Sequence, residues 1–413
     1  MTDPDVSRDT KPAIAIIGGG PAGLMAAEFL SAAGLPVTVY ERMPTPGRKL
    51  LIAGRGGLNL THSEPFDRFI TRYGAASSRL APILEAFPPS ALIAWTESLG
   101  QEVFVGSSGR VFPKAMKASP LLRAWLARLA VYGVTLRTRH EWRGWDESGN
   151  LIFRTANAST HTMRADVTIL ALGGASWPKL GSDGAWATFL ARRGVNIRPF
   201  AAANCGFTLT WSDSFRDRFE GVPLKNIALG FAGRDARGDA MITRTGIEGG
   251  PVYGLCAVLR DEIVTAGRAI VKIDLRPDLS EGMIAAKLKR QRPGQSITQT
   301  LRKALNLSPV AINLMRESHG IALPGDADTL AAWIKSTTLT LSGTGPIEDA
   351  ISTAGGVDFS DLDETLMLRN HPGVYAAGEM LDWEAPTGGY LLQASFATGV
   401  AVARSVLRRY GLG

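Results

Sequence analysis

Residues 13–41 read AIAIIGGGPAGLMAAEFLSAAGLPVTVYE, and this stretch decides the fold. The apolar run at 13–17 predicts a buried strand, and 21–33 predicts a helix that ends at Gly34. A second strand is predicted at 37–40. Together these elements make a βαβ unit of about 30 residues, which is typical of a parallel sheet with a crossover helix.

The turn between the first strand and the helix fits the GxGxxG pattern of dinucleotide-binding folds. Gly18 permits the tight turn, Gly20 lets the backbone approach a pyrophosphate, and Gly23 lets the helix pack closely on the strand. Pro21 and Ala22 begin the helix, whose N-terminus attracts phosphate through its N–H groups and its dipole. The strand before this pattern and the helix after it separate a dinucleotide site from a plain glycine-rich turn.

Acidic and basic side chains follow the second strand of the unit. Glu41 ends that strand 18 residues after Gly23, where an acidic side chain accepts hydrogen bonds from a ribose. We assign Arg42, the next residue, to the same cofactor site. Arg48 and Lys49 could neutralise the pyrophosphate, or they could form a solvated surface pair.

Two further strands predict which dinucleotide is bound. The strand at 167–172 ends at Gly173, and such a strand is the usual third element of FAD-binding folds. The strand at 373–377 is followed by a glycine and two acidic residues that would reach the ribityl and phosphate region: Gly378, Glu379 and Asp382. Because these elements are spread over both ends of the chain, we predict FAD as the cofactor.

A third motif precedes the last predicted helix, which spans about 391–409. Gly388 and Gly389 are predicted to let the backbone pass close to the planar flavin ring, and Tyr390 and Leu391 follow them at the ring. The positive end of the helix would then face the N1–C2=O edge of the flavin. This arrangement favours reduced flavin, which carries negative charge at that edge.

The segment 44–62, PTPGRKLLIAGRGGLNLTH, contains too many glycines for a regular element, and we expect it to run beside the flavin ring. Asn59 and His62 are therefore catalytic candidates. His62 could act as an acid or a base because imidazole titrates near neutral pH, or it could be a hydrogen-bonded structural histidine. Tyr390 is the third candidate, either as a proton donor or as a side chain that packs on the ring.

Charge and histidine placement bear on nucleic-acid and metal binding. The 413 residues carry a formal net charge of +7, and the basic residues are mostly scattered. The densest basic run predicts a solvated helix face more readily than a nucleic-acid surface, and it comprises Lys287, Lys289, Arg290 and Arg292. No metal site is predicted, because the histidines lack companions at ligand spacing.

The chain has two cysteines, Cys205 and Cys256, which exclude a disulfide scaffold. With no CxxC motif, we expect no close redox pair and therefore no dithiol flavoprotein reductase, and both thiols are predicted to be buried as small hydrophobic groups. The first twelve residues are polar, and no apolar run approaches the length of a membrane helix. We therefore expect no membrane contact and a cytoplasmic location.

The motifs together resemble those of the bacterial BaiN-like flavoproteins, also known as the aminoacetone-oxidase family of FAD-binding enzymes. The segments that carry the resemblance are GGGPAG, GRKLLIAGRGGLNLTHSE, ITRTGIEGGP, TAGGV and AGEMLDWEAPTGGYLLQ. The family commonly has a GGGRCN-type segment, of which this chain keeps Asn59, and GGYNLQ where this chain has GGYLLQ at 388–393. These departures fall on residues expected to face the flavin.

The resemblance implies an α/β fold in three parts. A three-layer Rossmann-like FAD-binding domain carries an inserted β-barrel-like domain, and a small helical subdomain is nested in the insertion. The bounds follow from where short strand-like runs and helical patterns begin and end in the sequence. The FAD-binding domain is predicted at 1–195 and 346–413. The β-rich insertion is predicted at 196–275 and 336–345, and the helical subdomain at 276–335.

An FAD-dependent oxidoreductase that acts on a small organic substrate is the leading functional hypothesis. The resemblance implies either an oxidase of small amines that uses oxygen, or an NAD(P)H-dependent reductase of an activated C=C bond. No second GxGxxG follows a later strand, so no separate NAD(P)H domain is predicted. This favours either an oxidase or NAD(P)H as a transient co-substrate that shares the flavin pocket. The alternatives are an FAD-dependent tRNA-modifying or nucleic-acid-binding flavoprotein, and a redox sensor without turnover.

Overall fold

The computed structural model describes residues 11–54, 56–290, 294–320 and 322–412. Arg292 of the basic run lies outside the described residues. The chain forms two compact units, of which the first contains residues up to 201 and from 352 onward, and the second contains residues 202–351. The first unit is therefore assembled from both ends of the sequence.

The strands, numbered in chain order, are β1 Ile14–Ile17, β2 Val37–Glu41, β3 Thr61–His62, β4 Val103–Val105, β5 Arg110–Pro113, β6 Thr135–Thr138, β7 His140–Trp145, β8 Leu151–Thr155, β9 Thr160–Met163, β10 Val167–Leu170, β11 Ile197–Ala203, β12 Phe207–Thr208, β13 Pro223–Phe231, β14 Arg234–Thr243, β15 Gly246–Gly249, β16 Ala269–Asp274, β17 Thr337–Leu341, β18 Gly343–Thr344, β19 Ser352–Val357 and β20 Val374–Ala376. The helices are α1 Pro21–Ala32, α2 Arg48–Ala53, α3 Phe66–Ile70, α4 Ser77–Ala86, α5 Pro89–Ser98, α6 Ala118–Val131, α7 Trp186–Ala191, α8 Asp213–Phe219, α9 Gly250–Gly254, α10 Cys256–Ala266, α11 Glu281–Lys289, α12 Ile297–Leu305, α13 Pro309–His319, α14 Ala327–Lys335 and α15 Tyr390–Arg409.

A five-stranded sheet in the order β20-β10-β1-β2-β6 forms the centre of the first unit. Its strands are parallel, and Ile14 of β1 lies opposite Val167 of β10 on one side and Val37 of β2 on the other. All four residues of β1 are buried, as expected for a central strand that is covered on both faces. The predicted α/β Rossmann-like fold is confirmed.

Helix α15 packs against α1 in the core of the first unit. The two helices approach so closely that a Cβ on Gly399 would lie 2.3 Å from the carbonyl oxygen of Ala22. Among the described residues, α15 is the one helix long and apolar enough to cross a membrane, but 72% of its apolar stretch is buried inside the protein. The expectation that no apolar run approaches that length was wrong.

The second unit is built on a seven-stranded antiparallel sheet in the order β17-β16-β13-β14-β15-β12-β18. Its two ends, β17 and β18, are separated in the chain only by Ser342, so the sheet curves back on itself. Helices α11 to α14 share one hydrophobic core with this sheet. They therefore belong to the same compact unit as the sheet, and the helical subdomain nested in the insertion stays a prediction.

Each helix from α11 to α14 begins at a residue that caps it. The side-chain oxygens of Ser280, Ser296, Ser308 and Asp326 accept hydrogen bonds from N–H groups in the first turns of these helices. Such caps satisfy donors that have no partner within the helix, which explains where these helices start.

Two expectations about local structure require correction. The second unit begins at 202 rather than 196 and ends at 351 rather than 345, because β11 and β19 pair with each other at the junction. The glycine-rich segment 44–62 also contains regular structure, namely α2 and β3. Glycines bracket α2 at Gly47 and Gly54, so they end the helix rather than prevent it.

The contact between α1 and α15 predicts unequal effects of two glycine-to-alanine substitutions. Gly399→Ala should lower the free energy of unfolding by about 1–3 kcal/mol, because the new methyl group clashes with backbone atoms, which cannot move away as a side chain can. Gly282→Ala is the control within another helix, since nothing lies within 4 Å of a Cβ there. That variant should be neutral or more stable by up to about 1 kcal/mol. Denaturant unfolding of both variants measures the difference, and equal stabilities would contradict the packing argument.

Candidate functional site

Two glycines of the GxGxxG turn are required by close packing. Gly18 has φ of +110°, its N–H donates to the carbonyl oxygen of Tyr40 at 2.8 Å, and a Cβ there would lie 2.2 Å from the carbonyl oxygen of Ala171. A Cβ on Gly23 would lie 2.0 Å from the carbonyl oxygen of Gly18. These contacts hold the first turn of α1 against the carboxyl ends of β1 and β10.

Gly20 differs from its neighbours because open space lies in front of it. Its backbone is extended, with φ of −86° and ψ of −177°, and no described residue lies within 4 Å of a Cβ built on it. Gly20 is also the N-cap of α1, and no side chain in the described part of the chain caps that helix. A pyrophosphate needs space to approach the backbone of Gly20 and free N–H groups at the helix N-terminus, and the turn offers both.

Glu41 lies beside this turn. Its Oε2 accepts a hydrogen bond from the N–H of Gly19 at 2.8 Å, and its Oε1 accepts one from the N–H of Met43 at 2.8 Å. Burial raises the pKa of Glu41, while these two backbone bonds and the nearby Arg42 and Arg48 act in the opposite direction. Each carboxylate oxygen can accept a further hydrogen bond, so contact with a ribose stays a prediction.

Three polar atoms in the segment after Glu41 are buried without a hydrogen-bond partner among the described residues. They are Nη1 of Arg48 on α2, Oδ1 of Asn59, and Oγ1 of Thr61 on β3. Buried polar groups in folded proteins nearly always have partners, and an unsatisfied one costs about 1–3 kcal/mol. A large polar cofactor supplies such partners, so this donor and acceptor set fits FAD.

Lys49 and Glu379 form a pair. The Nζ of Lys49 lies 2.7 Å from Oε2 of Glu379 and donates to Oγ of Ser176 at 2.7 Å, while the N–H of Thr353 donates to Oε1 of Glu379 at 3.0 Å. The ammonium group therefore neutralises a carboxylate, and it is not the solvated surface group that the sequence allowed. Sequence reasoning missed Ser176 and Thr353, although Thr353 belongs to the TAGGV segment.

The glycines after β10 and β20 lie at the same end of the sheet. Gly173 has φ of +70°, and its carbonyl oxygen accepts a hydrogen bond from Nε1 of Trp186 at 2.9 Å. Gly378 has φ of +81°, and a Cβ on it would lie 2.8 Å from the Cβ of Ala22. The C-terminal part of the chain thus reaches the first turn of α1.

Arg42 and Asp382 have protein partners. Arg42 forms an ion pair with Asp183 at 2.5 Å, a contact that sequence reasoning did not find. Asp382 lies 4.0 Å from Arg198, and burial raises the pKa of its carboxyl group. Contact of either residue with a cofactor stays a prediction.

The glycines before α15 make close contacts within the protein. A Cβ on Gly389 would lie 2.5 Å from the Cα of Thr61, and a Cβ on Gly388 would lie 2.8 Å from the ring of Tyr390. The missing side chain of Gly389 therefore admits the backbone of β3, and the close approach of this turn to a flavin ring stays a prediction. Leu391 is half-buried in the first turn of α15.

Tyr390 belongs to a buried network with two charged side chains. Its hydroxyl donates to Oε1 of Glu64 at 2.6 Å, and Arg72 donates to both carboxylate oxygens of Glu64 at 2.9 and 2.7 Å. Burial raises the pKa of Tyr390, and the bond to Glu64 raises it further. Because its proton is directed at Glu64, Tyr390 is poorly suited to act as a proton donor.

His62 stacks on Tyr390 with ring centroids 5.5 Å apart. Its Nδ1 accepts a hydrogen bond from the N–H of Glu64 at 3.1 Å, so its Nε2 carries the proton and donates to the carbonyl oxygen of Ser108 at 3.0 Å. Both ring nitrogens are occupied by backbone groups. The geometry therefore favours the structural histidine over the acid or base.

A groove of about 470 Å³ opens beside this network in the first unit. Its residues come from the segment around β3 and from the region where α4 ends and α5 begins: His62, Ser63, Glu64, Phe66, Glu85, Pro88, Pro89, Ser90 and Ile93. The walls are largely apolar, and the charged residues among the lining are carboxylates. Sequence reasoning gave no sign of this groove, because its residues are distant in the chain.

Substitutions at Gly20 and Gly23 separate cofactor binding from folding. Gly20→Val places a side chain into open space on a backbone that any residue adopts, so the protein should fold but purify without FAD. Gly23→Val meets the carbonyl oxygen of Gly18 and should abolish soluble protein. Flavin content and circular dichroism of both variants provide the measurement. A Gly20→Val protein with its full content of FAD would show that the pyrophosphate lies elsewhere.

The network around Glu64 predicts a pH-dependent loss of stability. Burial alone would raise the pKa of Glu64, but hydrogen bonds from Arg72 and Tyr390 outweigh it, and the pKa is lowered. The contribution of a carboxylate with a lowered pKa is fully present above its unfolded pKa of about 4.3, and it disappears as the pH falls through the folded value.

Glu64→Gln should therefore lower the free energy of unfolding by roughly 1–3 kcal/mol at pH 7, and the difference from the parent should shrink below about pH 4. Glu85→Gln is the control, because Glu85 lies exposed at the same groove. Denaturant unfolding at several pH values gives the result. A difference that stays the same down to pH 3 would mean that the charge of Glu64 contributes nothing.

Comparison with known proteins places these features in a family. The model of the HI0933-like protein Rossmann domain matches residues 12–405. The 3-dehydro-bile acid delta(4,6)-reductase of Clostridium scindens is 27% identical over 96% of this chain and 99% of its own length. The ribosomal RNA dihydrouridine synthase of Escherichia coli is 25% identical over 95% of this chain and 97% of its own length.

Two solved structures share the fold at low identity. The 3-ketosteroid delta1-dehydrogenase from Sterolibacterium denitrificans superimposes with a TM-score of 0.53 at 12% identity, over 97% of this chain and 100% of that one. A flavocytochrome c3 fumarate reductase gives 0.52 at 14% identity, over 97% of this chain and 79% of that one. The resemblance to BaiN-like flavoproteins is confirmed, and the chain belongs to the HI0933-like Rossmann family of FAD-binding oxidoreductases.

Proposed function

We propose that this protein is an FAD-dependent reductase that saturates a C=C bond conjugated with a carbonyl group, and that NAD(P)H supplies the reducing equivalents. The observation that carries the proposal is the dinucleotide site itself. Within the described residues, Gly20 faces open space at an uncapped helix N-terminus, and buried polar atoms of Arg48, Asn59 and Thr61 have no partner. FAD, when bound, would supply hydride transfer at its N5 position.

The names of the relatives support a reductase over an amine oxidase. One relative is a 3-dehydro-bile acid delta(4,6)-reductase, and others are ribosomal RNA dihydrouridine synthases. In both names the reaction saturates a C=C bond whose electrons are drawn toward a carbonyl group. Such a bond accepts hydride at the carbon remote from the carbonyl, and a small enone is the simplest substrate of this class.

The side chains near α15 are assigned to positioning. The Tyr390 proton is directed at Glu64, and both nitrogens of His62 are held by backbone groups. Neither side chain can donate a proton without breaking these bonds. We therefore propose that Tyr390 and His62 support the start of α15, and that Asn59 contacts the cofactor through its buried oxygen.

A second candidate substrate is a uracil ring within RNA. Four exposed basic residues lie on two neighbouring helices or directly after one of them. Lys287 is on α11, Arg290 follows α11, and Arg302 and Lys303 are on α12. Such a surface favours a polyanion, and binding to it would weaken steeply as salt is added. Two relatives named ribosomal RNA dihydrouridine synthase, at 25% and 24% identity, are consistent with this alternative.

An anaerobic cycle tests the proposal. NADH or NADPH should bleach the flavin absorbance of the purified protein, and 2-cyclohexenone should restore it in the absence of oxygen. Benzylamine should not bleach the flavin of the oxidised protein. A uridine-rich RNA oligonucleotide replaces the enone in a parallel arm, at low and at high salt.

The outcomes distinguish the candidates. Recovery with the enone but not with RNA supports the small-molecule reductase, and recovery with RNA only at low salt supports the second candidate. Bleaching by benzylamine, followed by recovery with air alone, would contradict the proposal and favour the oxidase. The Gly20→Val protein serves as the control, because it should show no flavin response to any of these compounds.

A further inference from the structure

The two cysteines of the chain lie side by side in the second unit. The Sγ atoms of Cys205 and Cys256 are 3.6 Å apart, although the residues are 51 positions apart in the sequence. Both residues are 3% exposed. The expectation that the chain has no close thiol pair was wrong, because the fold joins two cysteines that no CxxC motif connects.

The pair lies where the chain passes into the second unit. Cys205 comes two residues after the end of β11, the strand on which the chain leaves the first unit. Cys256 is the first residue of the eleven-residue helix α10, and Arg260 on the same helix donates to the carbonyl oxygen of Ala202 at 3.3 Å. A helix N-terminus and a nearby arginine both favour a thiolate.

At rest the pair is protected from oxidation. The hydrogen bond to Cys256 and burial raise the pKa of Cys205, so its thiolate is scarce. The sulfur atoms need to approach by about 1.5 Å to reach the disulfide length of about 2.05 Å. A modest local movement therefore brings the pair from contact to bond, and an oxidant gains access in the same movement.

We propose that Cys205 and Cys256 are a redox modification site, at which peroxide or a small disulfide oxidant forms a reversible cross-link between the segment after β11 and the start of α10. With peroxide, the Cys256 sulfur attacks one oxygen, the O–O bond breaks and water leaves. The Cys205 sulfur then attacks the resulting sulfenic acid and releases a second water. The two thiols lose two protons and two electrons in total, and a dithiol reverses the reaction.

The cross-link would change how the second unit unfolds. It closes a loop of about 50 residues, and such closure restricts the unfolded chain strongly. It also fastens the segment by which the chain enters the unit to helix α10. The competing explanation is that the two cysteines merely pack as small hydrophobic groups, in which case oxidation would produce no bridge.

The test uses the full-length protein with its cofactor. The protein is equilibrated in glutathione buffers from reduced to oxidised, with and without a urea concentration below the unfolding transition, and a separate sample receives hydrogen peroxide. Samples are quenched in acid, alkylated in denaturant and mapped by mass spectrometry without reduction. We expect a single Cys205–Cys256 cross-link, a melting temperature higher by roughly 5–15 °C, and full reversal by dithiothreitol.

Cys205→Ser and Cys256→Ser are matched controls that should show neither the cross-link nor the shift in melting temperature. If one of them fails to fold, the other and the alkylation count of the parent protein still decide the result. Two free thiols in oxidised glutathione with urea present would overturn the proposal. Mixed glutathione adducts or sulfinic acids on separate cysteines, without the bridge, would overturn it as well.

Discussion

The structure of the first unit depends on the absence of side chains where three segments of backbone meet. A Cβ on Gly18 or Gly23 would overlap a carbonyl oxygen, and a Cβ on Gly378 would overlap Ala22. This contact holds α1 against the ends of β1, β10 and β20. No described residue lies within 4 Å of a Cβ on Gly20, so the same close packing that fixes the turn leaves room for a phosphate group.

The site around this turn combines satisfied and unsatisfied polar groups. Lys49 and Glu379 neutralise each other, and Glu41 accepts hydrogen bonds from backbone N–H groups. Arg48 and Asn59 each have a buried polar atom that finds no partner among the residues the structure describes. The satisfied groups hold the two ends of the chain together, whereas the unsatisfied ones are where FAD would bind. An unpaired buried group is costly, so a ligand that supplies partners to Arg48 and Asn59 would bind favourably there.

The sequence predicted those features that depend on short stretches of chain. The βαβ unit at 13–41 and the strand at β10 follow from hydrophobic runs and glycine spacing, and the structure confirms them. The close packing of Gly389 against Thr61 and the thiol pair could not be predicted, because they join residues that only the tertiary fold brings together. The glycines before α15 indicated a close approach, and the tertiary fold brings the backbone of β3 to Gly389.

Arg48 allows the most direct test of the claim that unpartnered groups mark the cofactor site. The dissociation constant of FAD and the stability of the FAD-free protein should be measured for Arg48→Met, with Lys49→Met as the control. Arg48→Met should weaken FAD binding about 10- to 100-fold and leave the FAD-free protein at least as stable as the parent. Lys49→Met should instead destabilise the FAD-free protein, because Glu379 loses its partner. Unchanged FAD affinity in Arg48→Met would contradict the account.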